Sequence, residues 1–151
     1  TFIREKEHLT PREMDEVLNK KSGLLGISGV SSDDRDVTAA NQAGNPRAKL
    51  AQDILEYQIA KFIGGYMVAL GGCNAIVFTA GLGENQASHR MAVGKYLSYL
   101  GVKIDEALNE EMIHGREGKI SAPDSSIEVY VIPTNEELVI ARDTRDLVEK
   151  L

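Results

Sequence analysis

Apolar residues follow helical spacing along most of the chain and gather into short unbroken runs at two places. Thr10-Pro11-Arg12-Glu13 opens the first clear helix, with Thr as N-cap, Pro at the first helical position and Glu three residues after the cap. Met14, Val17, Leu18 and Lys21 continue one face until Ser22-Gly23. Glycines at 23, 26 and 29 then interrupt Leu24, Leu25, Ile27 and Val30, and this density of breakers predicts a packed loop. Asp33, Asp34, Arg35 and Asp36 close it as a solvated charge run that caps a short helix to about Ala43. Asn45-Pro46 starts the longest element, a stripe of Ala48, Ala51, Ile54, Leu55, Phe62, Ile63, Tyr66, Met67 and Leu70. Its roughly 25 residues would span about 37 Å.

Ala75, Ile76, Val77 and Phe78 predict a strand buried on both faces, as in the middle of a parallel sheet. Thr79, Ala80, Gly81, Leu82 and Gly83 follow as a tight turn whose glycines permit positive φ. Asn85 then reads as the N-cap of a helix carrying Ala87, Met91, Tyr96, Leu97 and Leu100. Beyond Gly101 the pattern predicts a strand at 101–105, a short helix from Glu106 to His114, a loop with a short strand at Lys119 to Ala122, and an apolar strand from Ile127 to Ile132. Thr134-Asn135-Glu136-Glu137 repeats the capping-box pattern before a final helix marked by Leu138, Ala141, Leu147 and Val148. Strands alternating with helices define an α/β class, with a sheet flanked by helices.

A strand, a glycine turn and a helix start direct free backbone N–H groups toward one point, which makes residues 79–85 an anion site or a plain turn with equal weight. The break after Ile132 has the same form, and both would face the carboxyl edge of the sheet, where open α/β folds bind ligands. Glu137 can close a capping box, whereas Glu136 has no such duty and can hold Mg²⁺ beside substrate phosphates.

A net charge of −6 argues against a nucleic-acid partner, since phosphate backbones are held by clustered Lys and Arg. No apolar run approaches the ~18 residues of a membrane span, so no membrane partner and a cytoplasmic location are expected. The single Cys73 agrees with that compartment. His8, His89 and His114 lie far apart, without ligands at zinc spacing. No nucleophile elbow and no Gly-Lys-Ser/Thr are present. A dinucleotide fold remains a rival through Gly81, Gly83 and Asp105, although Gln86 stands where its third glycine belongs. A folded interaction module, in which each motif is only a cap or turn, is the other.

Three stretches carry a family resemblance: SGVSSDDRD at 28–36, VFTAGLGEN at 77–85 and PTNEELVIARDT at 133–144. In that order and separation they resemble the C-terminal part of acetate kinases. The resemblance covers essentially the whole chain. It implies a ribonuclease-H-like domain of the actin-like ATPase superfamily, partly complete, serving as the C-terminal nucleotide-binding domain (residues 1–151) of a two-domain acyl kinase. It implies that Asp33, Asp34 and Arg35 border adenine and ribose, that Gly81, Leu82, Gly83, Glu84 and Asn85 line the phosphates, and that Glu136 binds magnesium. Leu82 replaces a commoner Ile, and Gln86 a commoner Ser. ATP and Mg²⁺ are the implied cofactors, ATP, ADP, acetate and acetyl phosphate the partners, and a homodimer is expected. The family's transition-state arginines, catalytic aspartate and acetate pocket belong upstream of Thr1, so these 151 residues alone are expected not to turn over. Propionate or butyrate kinases of the same family are alternatives.

Overall fold

A computed structural model describes residues 2–150, with only the backbone of Glu136. The chain divides into two compact units, 1–59 and 60–151. The first holds α1 (Phe2–Lys6), α2 (Pro11–Glu16), a π-helical turn at Val17–Lys21, α3 (Gly23–Ser28), α4 (Asp34–Gln42) and the start of α5 (Pro46–Leu70). The second holds the rest of α5, then β1 (Ala75–Phe78), α6 (Ala80–Asn85), α7 (Ala87–Tyr96), a 3₁₀ turn at Ser98–Leu100, α8 (Glu106–Glu111), β2 (Gly118–Lys119), β3 (Glu128–Val131) and α9 (Glu136–Val148).

Capping chemistry sets the first unit as the sequence predicts. The Thr10 amide donates to Glu13 Oε2 at 2.8 Å, and the Glu13 amide donates to Thr10 Oγ1 at 3.3 Å, so two donors at the start of α2 are satisfied reciprocally. Asn45 Oδ1 accepts from the Arg47 amide at 2.9 Å, and α5 runs from Pro46 to Leu70 as one helix. The packed loop expected at 23–30 is instead the short helix α3, ended by Gly29 at φ 68°. Gly26 does not break this helix. A Cβ there would sit 2.9 Å from the Lys21 carbonyl oxygen, so the residue is small because two backbones meet. Val37, Ala48 and Ala51 are buried together, with Leu24, Ile27 and Ala40 packed against them.

The second unit is built on a three-stranded sheet of order β1-β3-β2. β1 pairs with β3 in parallel, Phe78 opposite Val131, and β2 pairs with β3 in antiparallel fashion. β3 alternates as a strand with one covered face should: Val129 and Val131 are fully buried, whereas Glu128 is exposed beside Lys119 at 2.5 Å. Burying each valine contributes about 1.5–3 kcal/mol. β1 was expected to be covered on both faces, but only Ile76 is buried and Val77 is 48% exposed. The burial alternates, so one face of β1 is covered and the other open; among the described residues β1 is also an edge strand, paired on one side only.

Residues 101–105 do not form the expected strand. A single bridge joins Ile104 to Ser121, and Asp105 accepts from the Leu108 amide at 3.0 Å as N-cap of α8. That cap occupies the carboxylate on which the dinucleotide reading depended. α8 ends at Glu111, short of His114, whose φ of 55° is incompatible with a helix.

Candidate functional site

The parallel pair brings the carboxyl ends of β1 and β3 to one edge. Phe78 and Val131 are opposite, and the Ile132 amide donates to the Phe78 carbonyl at 3.0 Å. Each strand leads through a short break into a helix, so the two breaks lie side by side.

The first break differs from the expected glycine turn. Thr79 is extended, Ala80 takes φ 59°, and Ala80 to Asn85 form α6. The left-handed residue is therefore the alanine, and neither Gly81 nor Gly83 has positive φ. The two glycines differ in what surrounds them. A Cβ on Gly83 would lie 3.2 Å from the Phe78 carbonyl carbon, which lets α6 fold back closely on the end of β1. A Cβ on Gly81 would meet nothing within 4 Å. Protein packing leaves that glycine unexplained, and it borders open space.

The open space is a pocket of about 500 Å³ lined by Ala80, Gly81, Glu84, Thr134, Asn135 and Glu137. Its size falls in the ordinary range for small-molecule sites. Its walls are tied by Glu84, whose Oε1 accepts from the Thr134 amide at 2.8 Å and from Thr134 Oγ1 at 3.0 Å. Thr134 was expected to start the final helix as its cap. It is used as the other half of this latch, and Asn135 caps α9 instead, accepting from the Leu138 amide at 3.0 Å.

The latch holds Glu84 ionised. The Thr134 amide is the largest cause, with the Thr134 hydroxyl and the Ala80 amide adding to it, and together they set its pKa below the ordinary 4.5. A carboxylate with a lowered native pKa stabilises the fold fully above its unfolded value and loses that contribution as pH falls through the native one. Protection of the Thr134 amide from exchange should therefore decline as pH drops below about 4.5. In Glu84→Gln the protection should be lower at neutral pH and flat with pH. Identical pH curves for the two proteins would dismiss the latch.

Asn85 is likewise engaged within the protein and is not an N-cap. Its Nδ2 donates to the Gly81 carbonyl at 3.2 Å, and its Oδ1 accepts from the His114 amide at 3.2 Å. Leu82 and Gly83 are half-buried. The Glu84 side chain thus shapes the pocket and Gly81 leaves room in it, while Asn85 ties α6 to the segment at His114.

The other predicted residues lie in the first unit. Asp33 caps α4 by accepting from the Arg35 amide at 2.9 Å, and its second oxygen pairs with the Arg35 guanidinium at 2.6 Å. The Arg35 side chain, then its amide, hold the Asp33 pKa down to about 2. Asp34 is turned inward. It accepts from Thr38 Oγ1 at 3.3 Å and from Gln52 Nε2 at 3.4 Å, tying α4 to α5. The side chain of Glu136 lies outside the described residues.

Among the described residues no group of three His, Cys, Asp or Glu gathers as a metal site. The pocket nevertheless fits a hard divalent ion carried in with phosphates. Among the described residues its charged lining is Glu84 and Glu137, with no Lys or Arg. A polyphosphate entering beside two carboxylates requires a cation, and Mg²⁺ commonly binds through one or two carboxylates plus phosphates and water. Sequence reading missed Glu137 as a lining residue because a first-turn glutamate has an ordinary capping role. It also missed the buried Arg90, although Ala87, Arg90, Val93 and Leu97 form one inward stripe.

This is an α/β chain whose polar pocket opens at the carboxyl edge of its parallel strand pair. The sequence profile of the Acetokinase family matches residues 1–142, and the chain belongs to that family. It is 55% identical over 151 residues to the acetate kinase of Thermotoga maritima, covering 99% of this chain and 38% of that protein. To the acetate kinase of Methanosarcina barkeri it is 54% identical over 148 residues, 98% of this chain and 36% of that one. The solved acetate kinase of Porphyromonas gingivalis superposes with a TM-score of 0.86 at 44% identity, over 97% of this chain and 37% of that one. A propionate kinase from Francisella tularensis superposes with a TM-score of 0.83 at 38% identity, over 93% and 35%. The chain thus spans well under half the length of these relatives.

Proposed function

We propose that the chain is the nucleotide-binding part of an acetate kinase, which phosphorylates acetate reversibly from ATP to give acetyl phosphate. The observation that carries this reading is the pocket between the two strand ends, bordered by a glycine whose missing side chain no neighbour accounts for. Its phosphates would lie along Gly81, Leu82 and Gly83, whose small or half-buried side chains leave the backbone within reach. Glu137 from the pocket wall, and Glu136 by resemblance, would hold Mg²⁺, which supplies charge neutralisation during phosphoryl transfer. Asp33, Asp34 and Arg35 are assigned adenine and ribose by resemblance. Asp33 and Arg35 are fixed by their own ion pair, and Asp34 acts by keeping α4 in place.

The finer fold in this reading is a ribonuclease-H-like domain of the actin-like ATPase group. A homodimer and a cytoplasmic location belong to the same proposal. The groups that bind acetate and stabilise the phosphoryl group in flight would come from outside these residues, so the chain alone should bind ATP without turning over. Calorimetric titration with ATP and Mg²⁺, against NAD, tests the reading. Micromolar to millimolar binding of MgATP with none of NAD is expected, and Glu136→Ala should blunt the magnesium dependence. The reverse preference would overturn the proposal, and acetyl phosphate formation by the isolated chain would overturn the division of labour. Propionate as acyl substrate is a second reading, favoured by the likeness to the Francisella enzyme.

A further inference from the structure

Arg90 is fully buried, yet among the described residues no carboxylate hydrogen-bonds to it. Its guanidinium makes four donations to neutral acceptors. Nε donates to Asn109 Oδ1 at 2.7 Å, Nη1 to the Gly83 carbonyl at 2.8 Å, and Nη2 to the carbonyls of Asn109 at 2.6 Å and Met112 at 2.9 Å. Gly83 lies in α6, Asn109 in α8, and Met112 follows α8 directly, so carbonyls from the ends of two helices converge on one cation. The negative ends of those helices and the nearby Glu110 carboxylate, which makes no hydrogen bond to the guanidinium, offset part of the cost of burial. Burial lowers the guanidinium pKa, but an arginine remains charged.

Asn109 completes the arrangement. It is also fully buried, and its Nδ2 donates to the Ala87 carbonyl at 2.8 Å, at the start of α7. Asn85 makes a parallel tie from α6 to the His114 amide. Bonds from Arg90 and Asn109 therefore fix both ends of the 83–87 segment, on the side of α6 that leads away from the pocket.

We infer that Arg90, with Asn109, is a positioning residue for the phosphate-binding segment, a bracket that holds the Gly81–Asn85 backbone ready for the anion. This rests on the nucleotide reading above. The bracket touches no ligand and acts through the Gly83 carbonyl. A lysine cannot reproduce it, since one ammonium cannot reach acceptors on both helices with a planar fork.

Arg90→Lys, Asn109→Leu and Asn109→Asp separate the possibilities. Asn109→Asp keeps an acceptor for Nε, whereas Asn109→Leu removes it. Amide exchange of 80–87 read by mass spectrometry should rise at least tenfold in Arg90→Lys and Asn109→Leu, ahead of any change in β3. Exchange in Asn109→Asp, which keeps the acceptor for Nε but loses the donor to the Ala87 carbonyl, should rise less than in Asn109→Leu. Affinity for MgATP should fall at least tenfold in the first two variants, while affinity for adenosine, which has no phosphates, should hold within threefold. Equal losses for both ligands, or exchange rising uniformly across the second unit, would show a merely structural arginine and overturn the inference. If the parent chain binds no MgATP the functional reading fails by itself, and the exchange pattern still decides whether the bracket exists.

Discussion

Gly81→Leu is expected to remove MgATP binding, with affinity falling at least a hundredfold, while the chain remains as stable as the parent or gains up to about 1 kcal/mol. The two effects have separate causes. A Cβ at 81 meets no protein atom within 4 Å, so nothing in the fold resists the side chain. Glycine in a helix is less favourable than residues with a side chain because it loses more backbone freedom on folding. The leucine would instead extend from the pocket wall into the space assigned to phosphate. Circular dichroism melting and calorimetry on the same sample check both halves. Undiminished nucleotide affinity would mean that the ligand does not approach Gly81, and the pocket would lose its assignment.

Gly101→Val should act oppositely, unfolding the second unit without touching the pocket. Gly101 has φ 85°, where a β-branched residue is strained, and a Cβ there would lie 2.6 Å from Ser126 Oγ. The surroundings are fixed: the Gly101 carbonyl accepts from the Ser126 amide at 2.9 Å, and Ser125 Oγ accepts from the Lys103 amide at 3.0 Å. Backbone strain of about 1–3 kcal/mol adds to overpacking of similar size, giving a loss of about 3 kcal/mol. Urea unfolding followed by circular dichroism should show the midpoint falling accordingly. Adding Ser126→Gly should recover the steric part only, leaving roughly half of the loss. Complete recovery would mean that the left-handed backbone contributes nothing.

The sequence was most informative where a local rule has a single outcome. Thr10 and Glu13 announce their reciprocal cap, Pro46 and the long apolar stripe announce α5, and the apolar runs announce β1 and β3. It misled where glycine has more than one use. Gly26, Gly81 and Gly83 read as breakers, yet all three lie inside helices, two of them because another backbone comes close. It was silent where the partner is remote. The contact between Glu84 and Thr134 spans 50 residues, and the convergence of Gly83, Asn109 and Met112 on Arg90 depends on tertiary packing. The predicted phosphate segment and the second break do meet at one pocket. Glu84 on its wall and Asn85 beside it act as internal ties, which residue type alone did not distinguish from ligand contacts.

β1 carries one further implication. Among the described residues β1 has β3 on one flank only, and apart from the Ala75 carbonyl, which accepts from Cys73 Sγ at 2.9 Å, no strand takes up the backbone groups of the other flank, on an apolar, β-prone tetrapeptide with no charge or proline to discourage a second strand. Concentrated preparations of this chain are therefore expected to associate through that flank.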